Sequence, residues 1–101
     1  MFYDKEIYKT TYVSSKNPIG QLIQGYKKAE LIECDVQPID EKAIKYTWGE
    51  KIESNIQAFM NEELNVKDIV IYKNKAYEVE KAIAWDNYNI YALKSVDKVI
   101  L

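Results

Sequence analysis

The sequence predicts a small, mainly β protein: an antiparallel β-barrel or sandwich of about six strands with one short helix, forming a single domain over residues 1–101. Three observations lead to this fold class. The chain has 101 residues, enough for one domain and too few for two. Short runs rich in β-branched and aromatic residues recur between turn-forming residues. Nine tyrosines and two tryptophans suit the half-buried surfaces of strands.

The first two strands are predicted at residues 5–13 and 26–37. In the second, Ile32, Cys34 and Val36 alternate with polar residues, which is typical of a half-buried strand. Cys34 is therefore expected in the core. A role as a nucleophile is not expected of it, because the chain contains no histidine that could activate it.

Residues 14–25 are predicted to form a long loop, since they hold two of the three glycines, one of the two prolines and no clear apolar period. Long loops in small domains are frequently functional. We expect Ile19, Leu22 and Ile23 within it to contact either a neighbouring copy or a different protein of an assembly, so that the loop is mobile in a monomer and ordered on assembly. The alternative is a surface loop whose Ile19 or Leu22 caps its own barrel.

A short helix is predicted at residues 40–48. Asp40 occupies the N-cap position, and Gly49 stands where a left-handed residue would end the helix. Ile44 and Trp48 are four residues apart and share a face. A helix of two turns is not stable alone, so we expect these two side chains to dock it against the sheet.

The following strand is predicted at residues 51–61. One side would carry the apolar residues and the other the polar ones, because the two kinds alternate. The apolar side is Ile52, Ile56, Ala58 and Met60, and the polar side is Glu53, Asn55 and Gln57.

A hairpin follows, in which the strand Ile69–Tyr72 leads into a turn at Asn74-Lys75, with Asn74 in the left-handed conformation. The outgoing strand places its apolar residues on one face, but Lys81 falls among them. Either a β-bulge shifts the phase at that point or the face becomes exposed to solvent. The apolar residues in question are Tyr77, Val79, Ile83 and Trp85.

The last strand is predicted at residues 89–96, and three apolar residues, Val99, Ile100 and Leu101, end the sequence. Apolar side chains gain free energy when they leave water. We therefore expect these three to contact either another chain or the sheet edge of their own domain.

Composition argues against most catalytic chemistry. The chain has no histidine and a single cysteine, so it offers no zinc ligand set, acyl-transfer triad or intrachain disulfide. No glycine-rich phosphate loop is present. We therefore expect no enzyme activity, no catalytic, cofactor or metal residues and no cofactor. The lone cysteine, the lack of an apolar signal core at residues 1–13 and the lack of an apolar segment long enough for a membrane span favour a protein of the cytoplasm.

Two segments carry a resemblance to a known family. In DIVIYKNKAYEVEKAIAWDNYNIYAL, residues 68–93, and CDVQPIDEKAIKYTWG, residues 34–49, the matching residues form strand, turn and helix signals rather than a catalytic motif. With them, residues 30–95 resemble the head-completion proteins of tailed bacteriophages, also known as head–tail connector, stopper or minor capsid proteins. Lys75 departs from the family's usual Asn-Gly turn. The matching residues are Val36, Pro38, Tyr46, Gly49, Asp68, Ile69, Ile71, Tyr72, Asn74, Tyr77, Val79, Asp86 and Leu93.

The resemblance implies a structural component of a phage or prophage neck. Copies of the chain would form a ring homo-oligomer between the portal or adaptor and the tail, joining head to tail and helping to retain DNA. DNA would pass through the channel without sequence-specific binding. The expected location is the virion, and the host bacterial cytoplasm during assembly, with no membrane contact.

A second hypothesis is a small barrel that binds single-stranded nucleic acid. Exposed aromatic side chains beside a basic groove would then stack on bases. The net charge of −2 counts against it. The candidate residues are Tyr72, Tyr77, Tyr88 and Tyr91 with Lys73, Lys75, Lys81 and Lys94.

Overall fold

The computed structural model describes residues 4–40, 48–49 and 52–101. Within them the chain forms six antiparallel strands that pair in the order β1-β2-β3-β6-β5-β4, and β4 pairs back with β1. The sheet thus closes into a barrel, and the predicted fold class is confirmed. The strands are β1 (Lys5–Lys16), β2 (Leu22–Pro38), β3 (Ile56–Met60), β4 (Ile69–Tyr72), β5 (Lys75–Ala84) and β6 (Asn89–Ser95).

The barrel has an apolar interior to which every strand contributes. Alternate residues of each strand point inward, and the predicted inward row of β2 is confirmed: Ile32 and Cys34 are buried, with Val36 packed against them. A second apolar cluster lies on the outer side of the sheet, where Trp48 packs with Ile90 and Ala92. The barrel wall between β3 and β5 is therefore covered on both faces.

The β4–β5 hairpin turns on two residues, Lys73 and Asn74, whose φ angles are 51° and 63°. Tyr72 pairs with Lys75, so Lys75 already belongs to β5. Two consecutive positive φ angles match a type I′ turn, whose twist suits the flanking strands. The left-handed Asn74 is confirmed, whereas the predicted turn at Asn74-Lys75 lies one residue too late.

A β-bulge interrupts the pairing of β5 with β6 between Val79 and Lys81. The extra residue shifts the phase of the strand, so Val79 lies inside the barrel while Ile83 joins the outer cluster. Of the two possibilities at Lys81, the bulge is the one found. Placing Tyr77, Val79, Ile83 and Trp85 on one face was therefore wrong, and Trp85 is 55% exposed.

The predicted loop at residues 14–25 is wrong, because β1 and β2 continue as a paired hairpin to Lys16 and Leu22. Only residues 17–21 form the turn, where the Asn17 side chain accepts hydrogen bonds from the amides of Ile19 and Gln21. Neither face of this hairpin is covered by the barrel. Alternation of apolar and polar residues is therefore not required, which is why the sequence shows no period.

We call this projecting hairpin, residues 10–29, the arm. β1 pairs with β4 only at Tyr8 and Lys9, and a register shift between Tyr8 and Thr10 marks the point where the arm leaves the barrel. Seven paired residues extend roughly 24 Å at ~3.4 Å per residue. The molecule measures 52 × 26 × 20 Å, so the arm accounts for most of its excess length.

The predicted helix at residues 40–48, including Ile44, lies largely outside the described residues. At its end, Trp48 is buried, as expected of a docked side chain, and Gly49 has the expected positive φ of 86°. The strand predicted at residues 51–61 is shorter, spanning Ile56–Met60.

The two sides of β3 also differ from the prediction. Ile52 belongs to the outer cluster rather than to the side of Ala58 and Met60. Gln57, predicted on the polar side, is buried, and the Trp48 indole Nε1 donates a 3.0 Å hydrogen bond to its Oε1, which compensates for the burial.

Candidate interaction surface

The arm exposes apolar side chains to solvent. Ile19 in the turn is 78% exposed, Leu22 is 59% exposed and Ile23 is 37% exposed, and Tyr12 on the opposite strand is also exposed. No contact with the barrel covers these side chains, so the alternative in which Ile19 or Leu22 caps its own barrel is wrong. Leu22 and Ile23 are successive residues of β2 and point to opposite faces, so the arm exposes apolar side chains on both faces. Exposed apolar surface of this kind marks interaction sites. Contact with a neighbouring subunit remains a prediction.

The other three predicted contact residues lie against the base of the arm. The Tyr26 amide donates to the Val99 carbonyl at 2.8 Å, and the Leu101 amide donates to the Tyr26 carbonyl at 2.9 Å. Ile100 forms a parallel bridge with Tyr26. The end segment thus contacts a strand of its own domain, one of the two expected alternatives. Val99 and Leu101 are still 61% and 46% exposed, so their side chains remain accessible to another molecule.

Gly25 allows this close approach. A Cβ at this position would lie 2.8 Å from the Val99 carbonyl oxygen and 3.0 Å from Leu101 Cγ. The φ of Gly25 is not in the left-handed region, so the requirement for glycine here comes from the neighbouring segment. Residues 99–101 therefore lie alongside β2 at Gly25, which has no side chain to block them.

We expect Gly25→Ala to displace residues 99–101, because the added methyl group overlaps a backbone carbonyl that cannot swing aside. Overpacking of this kind destabilises by about 1–3 kcal/mol. Amide hydrogen exchange should then speed up at Tyr26 and Leu101. Gly20→Ala is the control, since its Cβ would meet open space. That change strains a left-handed turn residue but should leave the Tyr26 amide protected. Unchanged protection of Tyr26 in Gly25→Ala would contradict this placement.

The charges of the chain are divided between arm and barrel. The arm holds Lys16, Lys27 and Lys28 of the 14 lysines and none of the 16 carboxylates. Its formal charge is +3. Since the whole chain has a formal charge of −2, the residues outside the arm carry −5. Oppositely charged regions of this kind favour association between complementary surfaces.

An acidic face lies where β1 and β2 form part of the barrel. The register places Glu6 directly opposite Glu33, and both side chains are exposed. Like charges at opposing positions of an antiparallel pair destabilise the sheet. No described residue forms an ion pair with either carboxylate. Leu31, 47% exposed, lies two residues from Glu33 on the same strand face. We call Glu6, Leu31 and Glu33 the acidic face.

Cys34, the one cysteine, is buried beside the acidic face. Burial, with the charge of Asp35 beside it, raises the pKa of its thiol to about 12. The thiol is therefore protonated at neutral pH and a poor nucleophile. Among residues 4–40, 48–49 and 52–101, no three histidine, cysteine, aspartate or glutamate side chains are arranged to hold a metal ion. The same residues contain no helix long and apolar enough to cross a membrane.

Glu80, the residue at the bulge of β5, ties residues 53–54 to the barrel. Its Oε1 accepts hydrogen bonds from the amides of Glu53 at 3.0 Å and Ser54 at 2.8 Å, and from the Ser54 hydroxyl. Burial of the carboxyl raises its pKa, but these hydrogen bonds and the nearby Lys94 outweigh that effect and lower the pKa of Glu80 from 4.5. The carboxylate form is thus favoured by the fold.

The lowered pKa of Glu80 predicts a pH dependence of stability. A group with a depressed folded pKa contributes stability above its unfolded pKa, and that stability disappears as pH falls through the folded pKa. Urea unfolding should show Glu80→Gln to be less stable than the wild type at pH 7, with the difference shrinking below about pH 4.5. Exposed Glu63 provides the control variant, Glu63→Gln. A Glu80→Gln difference that is constant with pH would contradict this role.

The tyrosines proposed to stack on nucleic-acid bases are not arranged for that purpose. Tyr72, Tyr77 and Tyr91 are each at most 9% exposed, and Tyr88 packs in the outer cluster. Buried rings cannot offer their faces to bases. These four residues therefore belong to the packing of the barrel.

The fold has a counterpart of known structure. The solution structure of protein SF1141 from Shigella flexneri 2a, a structural genomics target, matches with a TM-score of 0.67 at 7% sequence identity. The match covers 92% of this chain and 92% of that one. At this level of identity the likeness shows the fold alone. No protein-family model matches the chain, and no curated protein matches it.

Proposed function

We propose that this chain is a structural component of the neck of a tailed phage or prophage, where copies form a ring between the portal or adaptor and the tail. The observation that carries the proposal is the arm, which projects from a small closed barrel and exposes Ile19, Leu22 and Ile23 to solvent. Exposed apolar side chains on a projecting, hydrogen-bonded hairpin suit a contact between subunits.

The resemblance to head-completion proteins supports the same proposal. Its residues from Asp68 to Leu93 coincide with β4, β5 and β6, three consecutive strands of the barrel. Asn74, one of these residues, occupies the two-residue turn in the left-handed conformation that such a hairpin needs. In this function the barrel is a scaffold, and the surface outside it makes the contacts with the portal, the tail and neighbouring copies.

The test is to delete the gene from the phage or prophage that carries it. We expect induced cells to accumulate unjoined tails and heads that lose their DNA, and a plasmid copy of the gene to restore tailed, infectious particles. Electron microscopy and plaque counts report both effects. DNA-filled particles with normal tails in the deletion strain would overturn the proposal. A neighbouring set of portal, capsid and tail genes would support it.

A further inference from the structure

We propose that the arm of one copy binds the acidic face of a second copy of this chain, and that repetition of this contact forms the ring. The inference rests on the proposed function and names the surfaces that meet. Its starting point is the distribution of charge: the arm carries lysines without carboxylates, and the remainder of the chain carries a net negative charge.

The arm provides a suitable set of contacts near its tip. Ile19, Leu22 and Ile23 are exposed apolar side chains, and Lys16 lies directly across the hairpin from Leu22. A cation beside apolar side chains fits a surface with apolar and anionic groups side by side. Duplex DNA offers phosphates but no matching apolar surface at its backbone, so the exposed isoleucines and leucine favour a protein partner.

The acidic face has the complementary composition. Leu31 offers exposed apolar surface, and neither of the opposed carboxylates of Glu6 and Glu33 forms an ion pair with a described residue. A lysine that approaches from another molecule would relieve the repulsion between the two carboxylates. The repulsion between the two carboxylates within one copy is thus relieved when a second copy binds.

The contact must be made between copies. The arm and the acidic face belong to the same two strands, and Leu22 and Leu31 lie nine residues apart on β2, roughly 30 Å at ~3.3 Å per residue. The tip of an arm therefore points away from the acidic face of its own barrel. Because the two surfaces differ, each copy donates one arm and accepts another. Such head-to-tail contacts close into rings when the rotation between copies permits.

The experiment measures self-association of the purified chain by sedimentation velocity at low salt. We expect a concentration-dependent oligomer that weakens in 1 M salt, where the Debye length is ~3 Å. The arm variant Lys16→Glu/Lys27→Glu and the face variant Glu6→Lys/Glu33→Lys should each weaken association by more than about tenfold. Lys73→Glu/Lys75→Glu, with the same charge change on exposed residues of the β4–β5 hairpin, is the matched control and should associate like the wild type.

Mixing the two variants makes the test specific. An arm-reversed copy and a face-reversed copy are complementary to each other in both directions, so an equimolar mixture should associate although neither variant does alone. Circular dichroism confirms that each variant is folded. Failure of the mixture to associate would overturn the pairing of these two surfaces, as would a wild type that remains monomeric at all concentrations.

Two further outcomes separate this inference from the proposed function. If the arm variant restores tailed particles to the deletion strain as well as the wild type does, the arm contact is wrong while the neck function stands. If the deletion strain itself makes normal particles, the function fails. Salt-sensitive binding of the arm to duplex DNA, lost in the arm variant and without any self-association, would also overturn the inference.

Discussion

Trp48→Ala should destabilise the protein by about 3–5 kcal/mol, the range for removing a buried large aromatic side chain. The indole is 4% exposed, packs with Ile90 and Ala92, and donates to Gln57 Oε1. The backbone carbonyl of Trp48 also accepts a 3.1 Å hydrogen bond from Lys81 Nζ. Loss of the ring would therefore uncover the outer face of the sheet. Chemical unfolding gives the free energy of the change.

The second tryptophan supplies the matched control. Trp85 is 55% exposed, so Trp85→Ala should change the unfolding free energy by less than about 1 kcal/mol. Trp48→Phe separates packing from hydrogen bonding, because it keeps an aromatic ring but leaves Gln57 Oε1 without its donor. We expect the unfolding free energy of Trp48→Phe to lie between those of the wild type and Trp48→Ala. A loss below about 1 kcal/mol in Trp48→Ala would show that the docked segment contributes little.

Tyr91→Phe should destabilise the protein by about 1–3 kcal/mol, which is large for the removal of one oxygen atom. The Tyr91 hydroxyl accepts from the Leu64 amide at 2.8 Å and donates to the Glu62 carbonyl at 3.0 Å. Leu64 is buried in the core cluster, so its amide would be left inside without an acceptor. Tyr91 thus holds both ends of the segment at residues 62–64 over the barrel, and Asn89 Nδ2 adds a 3.2 Å hydrogen bond to the Glu62 carbonyl.

Amide hydrogen exchange provides a direct check of this tie. Exchange at Leu64 should accelerate in Tyr91→Phe, while amides of β4 should keep their relative protection. Tyr12→Phe removes a hydroxyl from an exposed ring of the arm and should leave stability within about 0.5 kcal/mol of the wild type. Equal stability of wild type and Tyr91→Phe would mean that water replaces the lost acceptor.

The strands that face the core were predictable from the sequence, because burial on one side imposes alternation. Ile32 and Cys34 of β2 show this most clearly. The β4–β5 hairpin was also predictable to within one residue, because Asn74 readily adopts the left-handed conformation of its turn. The bulge at Glu80 was visible only as Lys81 among apolar residues. Its consequence, which sends Ile83 to the outer cluster, depends on the pairing with β6 and required the structure.

The candidate surface was only partly predictable. The sequence shows Ile19, Leu22 and Ile23 as apolar residues without a core partner, but it predicts a loop at their position, since a hairpin exposed on both faces has no period to detect. The absence of carboxylates from residues 10–29 was a signal present in the sequence. The placement of Glu6 opposite Glu33 could not be predicted from the sequence, because the register of a strand pair cannot be read from either strand alone.

Hydrogen exchange of residues 16–23, measured on the isolated chain and on assembled necks, tests the central claim most directly. The arm contact predicts slower exchange at the tip after assembly, with the β4–β5 turn at residues 73–74 unchanged as an internal reference. Equal exchange of residues 16–23 in both states would contradict the claim that the arm joins one copy to the next.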